Sequence, residues 1–217
     1  MNDRGQSLGG GATLLRSRIA VLFLVLLTAA CAPVMLEFHR PSAPGGKVVR
    51  AGCPPDKFIL FERHDVTIGT STGVASKGLV GGVVTFEVPE GKVVLLLDQE
   101  VEVSASSRGT SKGRLTPGTV WAPGSFQPRD AQPDKPLMGI TSKHRIAWWP
   151  FSAAPTPYGH SRHAYYSFKF SISLAEAEVS EAYVLKLPKF SVNDIVVELP
   201  PITFIQDREF AIVGLNC

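Results

Sequence analysis

The segment from His163 to Ser173 alternates between apolar and mostly polar residues, and this pattern constrains the fold more than any other part of the sequence. Successive side chains of a β-strand point to opposite faces of its sheet, so a period of two separates a buried face from an exposed one. We therefore predict a strand in which Phe168 and Phe170 are buried while Lys169 faces water. The predicted buried face carries Ala164, Tyr166, Phe168, Phe170 and Ile172.

Further short strands are predicted on both sides of this segment, because apolar runs alternate with Gly, Pro and polar turn residues. The run 92–97 is almost continuously apolar, which predicts a strand buried on both faces. Asn193 and Asp194 separate two apolar runs and predict a two-residue hairpin turn of the primed type. Residues 206–209 lie between two more runs and predict a second hairpin. The other predicted strands include 58–61, 81–88, 100–104 and 182–187.

Many short strands with turn signals between them, and no amphipathic helix of four turns, indicate an all-β chain. We expect an antiparallel β-sandwich or a partly open barrel with one long Pro- and Gly-rich loop insertion at about 105–162. This loop contains Trp148, Trp149 and Phe151, which have two interpretations. Either they form an exposed aromatic surface for a sugar, a peptide or a partner protein, or they cover the open side of the sandwich beneath the loop.

The N-terminal part of the chain predicts export. Arg16 and Arg18 precede an uncharged apolar run from Ile19 to Ala30, which ends in two alanines directly before Cys31. Positive charge, an apolar run and small residues in this order are typical of a secretory signal peptide. The run is shorter than the ~20 residues that a membrane-spanning helix needs, which favours a cleaved leader over a permanent span.

The residues from Leu27 to Cys31 resemble the lipobox of bacterial lipoproteins. The position three before the cysteine is usually Leu in that class, whereas here it is Thr28 and the leucine stands one place earlier. The resemblance implies that Cys31 carries acyl chains such as palmitate and becomes the mature N-terminus. Ala32 rather than Asp follows the cysteine, which by the same resemblance implies sorting to the outer membrane, facing the periplasm. An ordinary signal peptide cut after Ala30 is the alternative.

These observations divide the chain into three parts. Residues 1–30 form the signal peptide, and residues 31–52 form an acylated N-terminus followed by a flexible, Pro- and Gly-rich tether. Residues 53–217 form the β-rich domain. We expect the tether to let the domain stand away from the membrane.

Two cysteines remain once Cys31 is acylated. Cys53 and Cys217 form an even pair in an oxidising compartment, and such a pair predicts a disulfide. Two free thiols, or a disulfide to another chain, are the alternatives.

The charge of the exported part argues against two classes of partner. The whole chain has a formal charge of +3, and Arg4, Arg16 and Arg18 lie in the leader against Asp3. The remainder is close to neutral, so the sequence makes no electrostatic case for nucleic acid and offers no basic patch to anionic lipids. Membrane attachment must therefore come from the acyl chains of Cys31.

Signs of catalysis are sparse. Gly159 to His163 partly resembles the Gly-x-Ser-x-Gly elbow of hydrolases around Ser161, but His163 replaces the second glycine. His160 and His163 lack the helical setting in which their spacing favours a metal, so no metal site, cofactor or catalytic residue is predicted. The scattered carboxylates that remain are Glu62, Asp65 and Glu87.

The sequence favours a lipid-anchored cell-envelope protein that binds or scaffolds an envelope protein partner through its β-domain. Two alternatives stay open, namely an envelope hydrolase or other enzyme, and a soluble periplasmic ligand-binding module. Lipid on Cys31 separates the first interpretation from the last.

Overall fold

The computed structural model describes residues 33–50, 57–75, 78–105, 109–122, 129–139, 163–174 and 182–212. Every regular element among them is a β-strand. The chain forms two compact units. The larger unit is Leu36–Glu209, and the smaller unit combines Met1–Met35 with Phe210–Cys217.

Sixteen strands follow one another along the described part of the chain. They are β1 (Pro33–Ser42), β2 (Lys47–Arg50), β3 (Lys57–Arg63), β4 (Val66–Ala75), β5 (Leu79–Val88), β6 (Val93–Leu96), β7 (Glu100–Ala105), β8 (Gly109–Arg114), β9 (Thr116–Trp121), β10 (Arg129–Ala131), β11 (Leu137–Met138), β12 (Ala164–Ser173), β13 (Ala182–Lys186), β14 (Phe190–Val192), β15 (Ile195–Val197) and β16 (Ile202–Ile212).

The strands form three sheets, and every strand pair with a described register is antiparallel. The seven-stranded sheet has the order β10-β9-β12-β5-β4-β3-β2, and the five-stranded sheet has the order β1-β16-β13-β7-β8. The four-stranded sheet has the order β11-β6-β14-β15. The strand content and the antiparallel pairing confirm the prediction of an all-β antiparallel chain. Within the described ranges none of the three sheets closes into a barrel, which agrees with the sandwich form of that prediction.

The alternating strand β12 lies between β5 and β9 in the seven-stranded sheet and packs as its sequence predicts. Phe168 and Phe170 are buried in the main hydrophobic core, and Lys169 is exposed on the opposite face. Val94 and Val197, from the four-stranded sheet, belong to the same core. The prediction that Phe168 and Phe170 are buried while Lys169 faces water is confirmed.

Phe86 of β5 connects two of the sheets. The centroid of its ring lies 6.4 Å from that of Phe168 and 5.5 Å from that of Phe190 in β14, and both contacts are edge-to-face. This arrangement is favoured because the positive edge of one ring meets the negative face of the other. The seven-stranded and four-stranded sheets therefore share one aromatic cluster.

Gly82 of β5 makes room for Phe170, which is its partner across the strand pair. A Cβ atom at Gly82 would lie 2.4 Å from Cζ of Phe170 and 2.7 Å from the carbonyl oxygen of Ser71. A larger residue would therefore push the phenylalanine ring out of its place in the core.

Tyr183 of β13 provides a polar link between the five-stranded and seven-stranded sheets. Its hydroxyl forms a hydrogen bond with the hydroxyl of Thr72 in β4, and its ring stacks on Phe204 with centroids 5.1 Å apart. Burial raises the pKa of Tyr183 to about 12, and the hydrogen bond with Thr72 opposes only part of that shift. The phenol therefore stays neutral and hydrogen-bonded at physiological pH.

Two hairpin turns have both central residues at positive φ. Asn193 and Asp194 have φ angles of 46° and 67°, which confirms the predicted primed turn between β14 and β15. His64 and Asp65, with φ angles of 51° and 69°, join β3 to β4 in the same way. The sequence did not single out this second turn, because His is less typical there than Asn or Gly.

The segment expected to be a flexible tether contains β1 and β2, so that prediction is wrong for residues 33–50. β2 pairs with β3 through four residues. β1 lies beside β16, and two ion pairs join them, Glu37–Arg208 at 2.9 Å and Arg40–Asp207 at 3.2 Å. Pro44, Gly45 and Gly46, which are among the residues that suggested a tether, lie in the tight turn between β1 and β2 instead.

β16 runs unbroken through residues 206–209, so the hairpin predicted there is wrong. The polar side chains of this stretch make cross-strand ion pairs. Glu209 contacts Lys57 at 2.8 Å and also Arg50. The hydrogen bond from Lys57 is the main cause that lowers the pKa of Glu209. A charged run resembles a turn when its partners on other strands are unknown.

The stretch expected to be one long loop contains four strands, β8 to β11. β8 pairs with β7 over six residues, and Lys112 of β8 contacts Glu100 at 2.5 Å and Glu102 at 3.2 Å. Cross-strand charge pairs can stabilise a sheet whose strands do not alternate between apolar and polar residues. The sequence of these strands therefore shows no clear repeat of two in hydrophobicity. The parts of this stretch outside the described residues are 106–108, 123–128 and 140–162.

Replacing Phe168 or Phe170 by Ala should lower the free energy of unfolding by about 3–5 kcal/mol, through lost transfer energy and the cavity left behind. Lys169→Ala is the control on the exposed face and should change it by no more than about 0.5 kcal/mol. Chemical denaturation of the three variants measures this contrast. Equal small effects at all three positions would show that β12 does not pack as described.

Candidate functional site

Most site residues expected from the sequence lie outside the described residues, and their roles stay predictions. They are Cys31 for lipidation, Cys53 and Cys217 for the disulfide, Trp148, Trp149 and Phe151 for an interaction surface, and His160 and Ser161 of the hydrolase-like string.

Two residues considered for chemistry do meet. Nδ1 of His163 lies 3.0 Å from Oε1 of Glu87, at the end where β12 pairs with β5. A carboxylate at one ring nitrogen orients the imidazole, but such a pair needs a nucleophile beside it to act as a catalytic unit. Asp65 is paired with Lys92 at 2.9 Å, and this hydrogen bond lowers the pKa of Asp65. Of the scattered carboxylates, Glu87 thus contacts a histidine and Asp65 contacts a lysine.

The residues that the structure describes contain neither a cluster of metal ligands nor a membrane-spanning helix. Among them, no group of three His, Cys, Asp or Glu side chains is placed to hold a metal ion. No helix within the same ranges is long and apolar enough to cross a membrane.

The four-stranded sheet turns one face to the core. Val94 of β6 is buried there, together with Phe190 and Val192 of β14 and Leu137 of β11. Residues directly opposite each other in an antiparallel pair share a face, so these four side chains form one apolar layer. The neighbours that alternate with them must therefore point to the other side of the sheet.

The outer face of this sheet is apolar as well. Val93 of β6 lies opposite Met138 of β11, and Leu95 lies in a row with Ser191 of β14 and Val196 of β15. Leu97 follows β6 directly. We call these five apolar side chains the apolar platform: Val93, Leu95, Leu97, Met138 and Val196.

The apolar platform is open to solvent. Val196 is 62% exposed, Met138 58% and Leu97 52%, while Val93 and Leu95 are half-buried. The prediction that residues 92–97 are buried on both faces is therefore wrong. Several exposed apolar side chains grouped on one sheet face are a feature of interaction sites.

Tyr166 holds the β11 side of the apolar platform. Its hydroxyl donates to the carbonyl oxygen of Met138 at 3.0 Å and accepts from the backbone N–H of the same residue at 3.0 Å. Burial raises the pKa of Tyr166, and the hydrogen bond with Met138 opposes the shift. These two hydrogen bonds to the backbone connect a core tyrosine of the seven-stranded sheet to the four-stranded sheet and fix the position of Met138.

Asn193 holds the β14–β15 hairpin against the start of β6. Its Oδ1 accepts from the N–H of Val93 at 2.8 Å, and its own N–H donates to the carbonyl of Val93 at 2.9 Å. Its Nδ2 donates to the carbonyl of Gly91 at 3.3 Å. One turn residue therefore ties two neighbouring strands together and makes the platform a rigid surface, which lowers the entropy cost of binding.

A polar rim borders the apolar platform where β14 begins and β15 ends. Nζ of Lys189 lies 2.9 Å from Glu198, and Nζ of Lys186 lies 3.9 Å from it. The hydrogen bond between Lys189 and Glu198 lowers the pKa of Glu198 and raises that of Lys189. The N–H of Leu97 donates to the carbonyl of Lys189 at 2.9 Å. An apolar centre with a polar rim is the usual organisation of a protein interface.

Comparison with protein-family models finds no match, and comparisons with curated proteins and with solved structures find none either.

The sequence did not identify the apolar platform. Its signal was the unbroken apolar run 93–97, which specifies two apolar faces but not whether both are covered. Whether the second face is buried depends on which other elements pack against the sheet, and the sequence of one strand does not show this.

Two substitutions at Asn193 should separate its side-chain bonds from its backbone conformation. Asn193→Gly keeps the positive φ and loses only the amide, which should cost about 1 kcal/mol of unfolding free energy. Asn193→Ala should cost about 1–2 kcal/mol more, because Ala disfavours the left-handed conformation. Urea denaturation measures both values. A glycine variant as stable as the wild type would show that the amide does not hold the hairpin.

Proposed function

We propose that this protein is a lipid-anchored bacterial cell-envelope protein that binds a partner protein through the apolar platform. The membrane attachment rests on the leader and on the lipobox-like residues from Leu27 to Cys31. Ala32 favours the outer membrane, with the β-domain in the periplasm. In this arrangement the acyl chains set the location and the β-domain provides the recognition.

The apolar platform carries the proposal of binding. Four of its five apolar side chains lie on three strands of one sheet face, Leu97 follows β6 directly, and three of the five are more than half exposed. Backbone hydrogen bonds from Tyr166 and Asn193 fix two of its sides. A rigid apolar surface of this kind gains free energy when another apolar surface covers it, because water is released from both.

The chemistry of the apolar platform indicates the kind of partner. An apolar helix or sheet face of another envelope protein would match the centre, and polar groups at its margin would meet the ion pair of Lys189 and Glu198. The near-neutral charge of the exported part gives no preference for a strongly charged partner.

The alternatives have less support. The hydrolase alternative has the contact between Glu87 and His163 in its favour, and it requires Ser161 beside that pair. The soluble periplasmic module differs from the proposed function only in the absence of lipid from Cys31.

Replacing Cys31 by Ser should abolish the incorporation of radiolabelled palmitate, because the thiol that receives the lipid is lost. Cys53→Ser is the matched control, since it removes a cysteine outside the lipobox-like segment and should leave the label in place. Equal palmitate on wild type and on Cys31→Ser would contradict the lipid anchor.

Val196→Lys should weaken partner binding by more than about tenfold, because the interface would have to desolvate a charge. Ser171→Lys is the matched control: it places the same side chain at an exposed position of β12, on the outer face of another sheet. Neither position is in the core, so both variants should melt within a few degrees of the wild type.

The measurement is chemical cross-linking in intact cells, followed by titration of the recovered partner with each purified chain. A partner of the apolar platform is one that wild type and Ser171→Lys capture and Val196→Lys does not. Recovery of the same set of proteins with all three chains would contradict binding through the platform.

A further inference from the structure

Among the residues whose exposure the structure describes, the smaller compact unit carries two exposed large apolar side chains. Phe210 is 72% exposed, the largest fraction for any large apolar side chain in the described residues, and Met35 is 49% exposed. Both belong to the unit that combines the beginning of the chain with its end. An aromatic ring so fully in water is unfavourable unless something covers it.

The predicted lipid lies close to these side chains along the chain. Cys31 precedes Met35 by four residues, and four residues span at most about 14 Å even when fully extended. The long tether expected from the sequence does not separate them, because β1 already begins at Pro33. Acyl chains on Cys31 would therefore hold Met35, and the unit to which Phe210 also belongs, near the bilayer surface.

We propose that Phe210 and Met35 insert into the interfacial layer of the membrane that holds the acylated Cys31. This inference rests on the proposed lipid anchor. The two side chains suit that layer, since aromatic and other apolar side chains on a membrane-associated surface bury their apolar parts at the boundary between head groups and acyl chains. Because the acyl chains already supply the attachment, two further side chains are enough to fix the orientation of the small unit on the bilayer.

The occupant of this surface is lipid rather than protein, for a reason given by the chain itself. A protein partner has to diffuse to this unit, whereas acyl chains on Cys31 would be attached covalently four residues from Met35 and would keep the bilayer surface close to it. The connection is too short to let Met35 move far from the lipid surface.

The test uses the full chain, expressed with its own leader, with the photoreactive residue benzoylphenylalanine at position 210. Cells are labelled with radioactive phosphate so that cross-linked phospholipid marks the protein. Position 196 is the matched control, because Val196 is exposed to a similar degree but belongs to the larger unit. We expect position 210 to acquire several times more phospholipid label than position 196. Benzoylphenylalanine at position 35 should behave like that at position 210.

Each outcome has a distinct meaning when palmitate on Cys31 is measured in the same samples. Palmitate together with equal phospholipid labelling at positions 210 and 196 overturns the membrane contact and leaves the lipid anchor intact. Palmitate with cross-links from position 210 to protein alone also overturns it, and identifies a protein contact there. Absence of palmitate from the wild type overturns both proposals.

Discussion

The contact of Phe86 with Phe168 on one side and Phe190 on the other is the interaction on which the remaining architecture depends. It brings the four-stranded sheet against the seven-stranded one and so decides which face of β6 and β14 is covered. The hydrogen bonds of Tyr166 to the backbone of Met138 reinforce the same junction. Without this junction there would be no distinction between an inner and an outer face, and hence no apolar platform.

The two surfaces proposed for function differ in what makes them suitable. The apolar platform is built on paired strands and held by side-chain hydrogen bonds, so its shape is fixed before a partner arrives. The exposed Phe210 needs no such precision, because lipid adapts to any apolar shape. By the two proposals, one surface keeps the protein at the membrane and the other brings its partner to that membrane.

The sequence predicted what depends on a single strand or turn. The alternation in β12 and the Asn193 turn were both identified, because their patterns are local. The tether, the 206–209 hairpin and the full burial of 92–97 were wrong, because each depends on what lies on neighbouring strands. Charged side chains that form ion pairs between strands resemble turn residues when only the sequence of one segment is considered. The lipid, disulfide and aromatic predictions concern residues outside the described ranges.

The adjacency of β1 and β16 has a consequence for the order in which the molecule assembles. Glu37 and Gln206 are 169 residues apart in sequence, yet their side chains meet across these strands. Loop closure over such a distance is costly in entropy, and sheets built from distant strands form slowly. On the proposed export route, in which the chain crosses the membrane from its N-terminus, the second strand of this pair would arrive long after the first. Until then β1 would lack its partner strand β16, and the chain would be most exposed to aggregation and most in need of a chaperone.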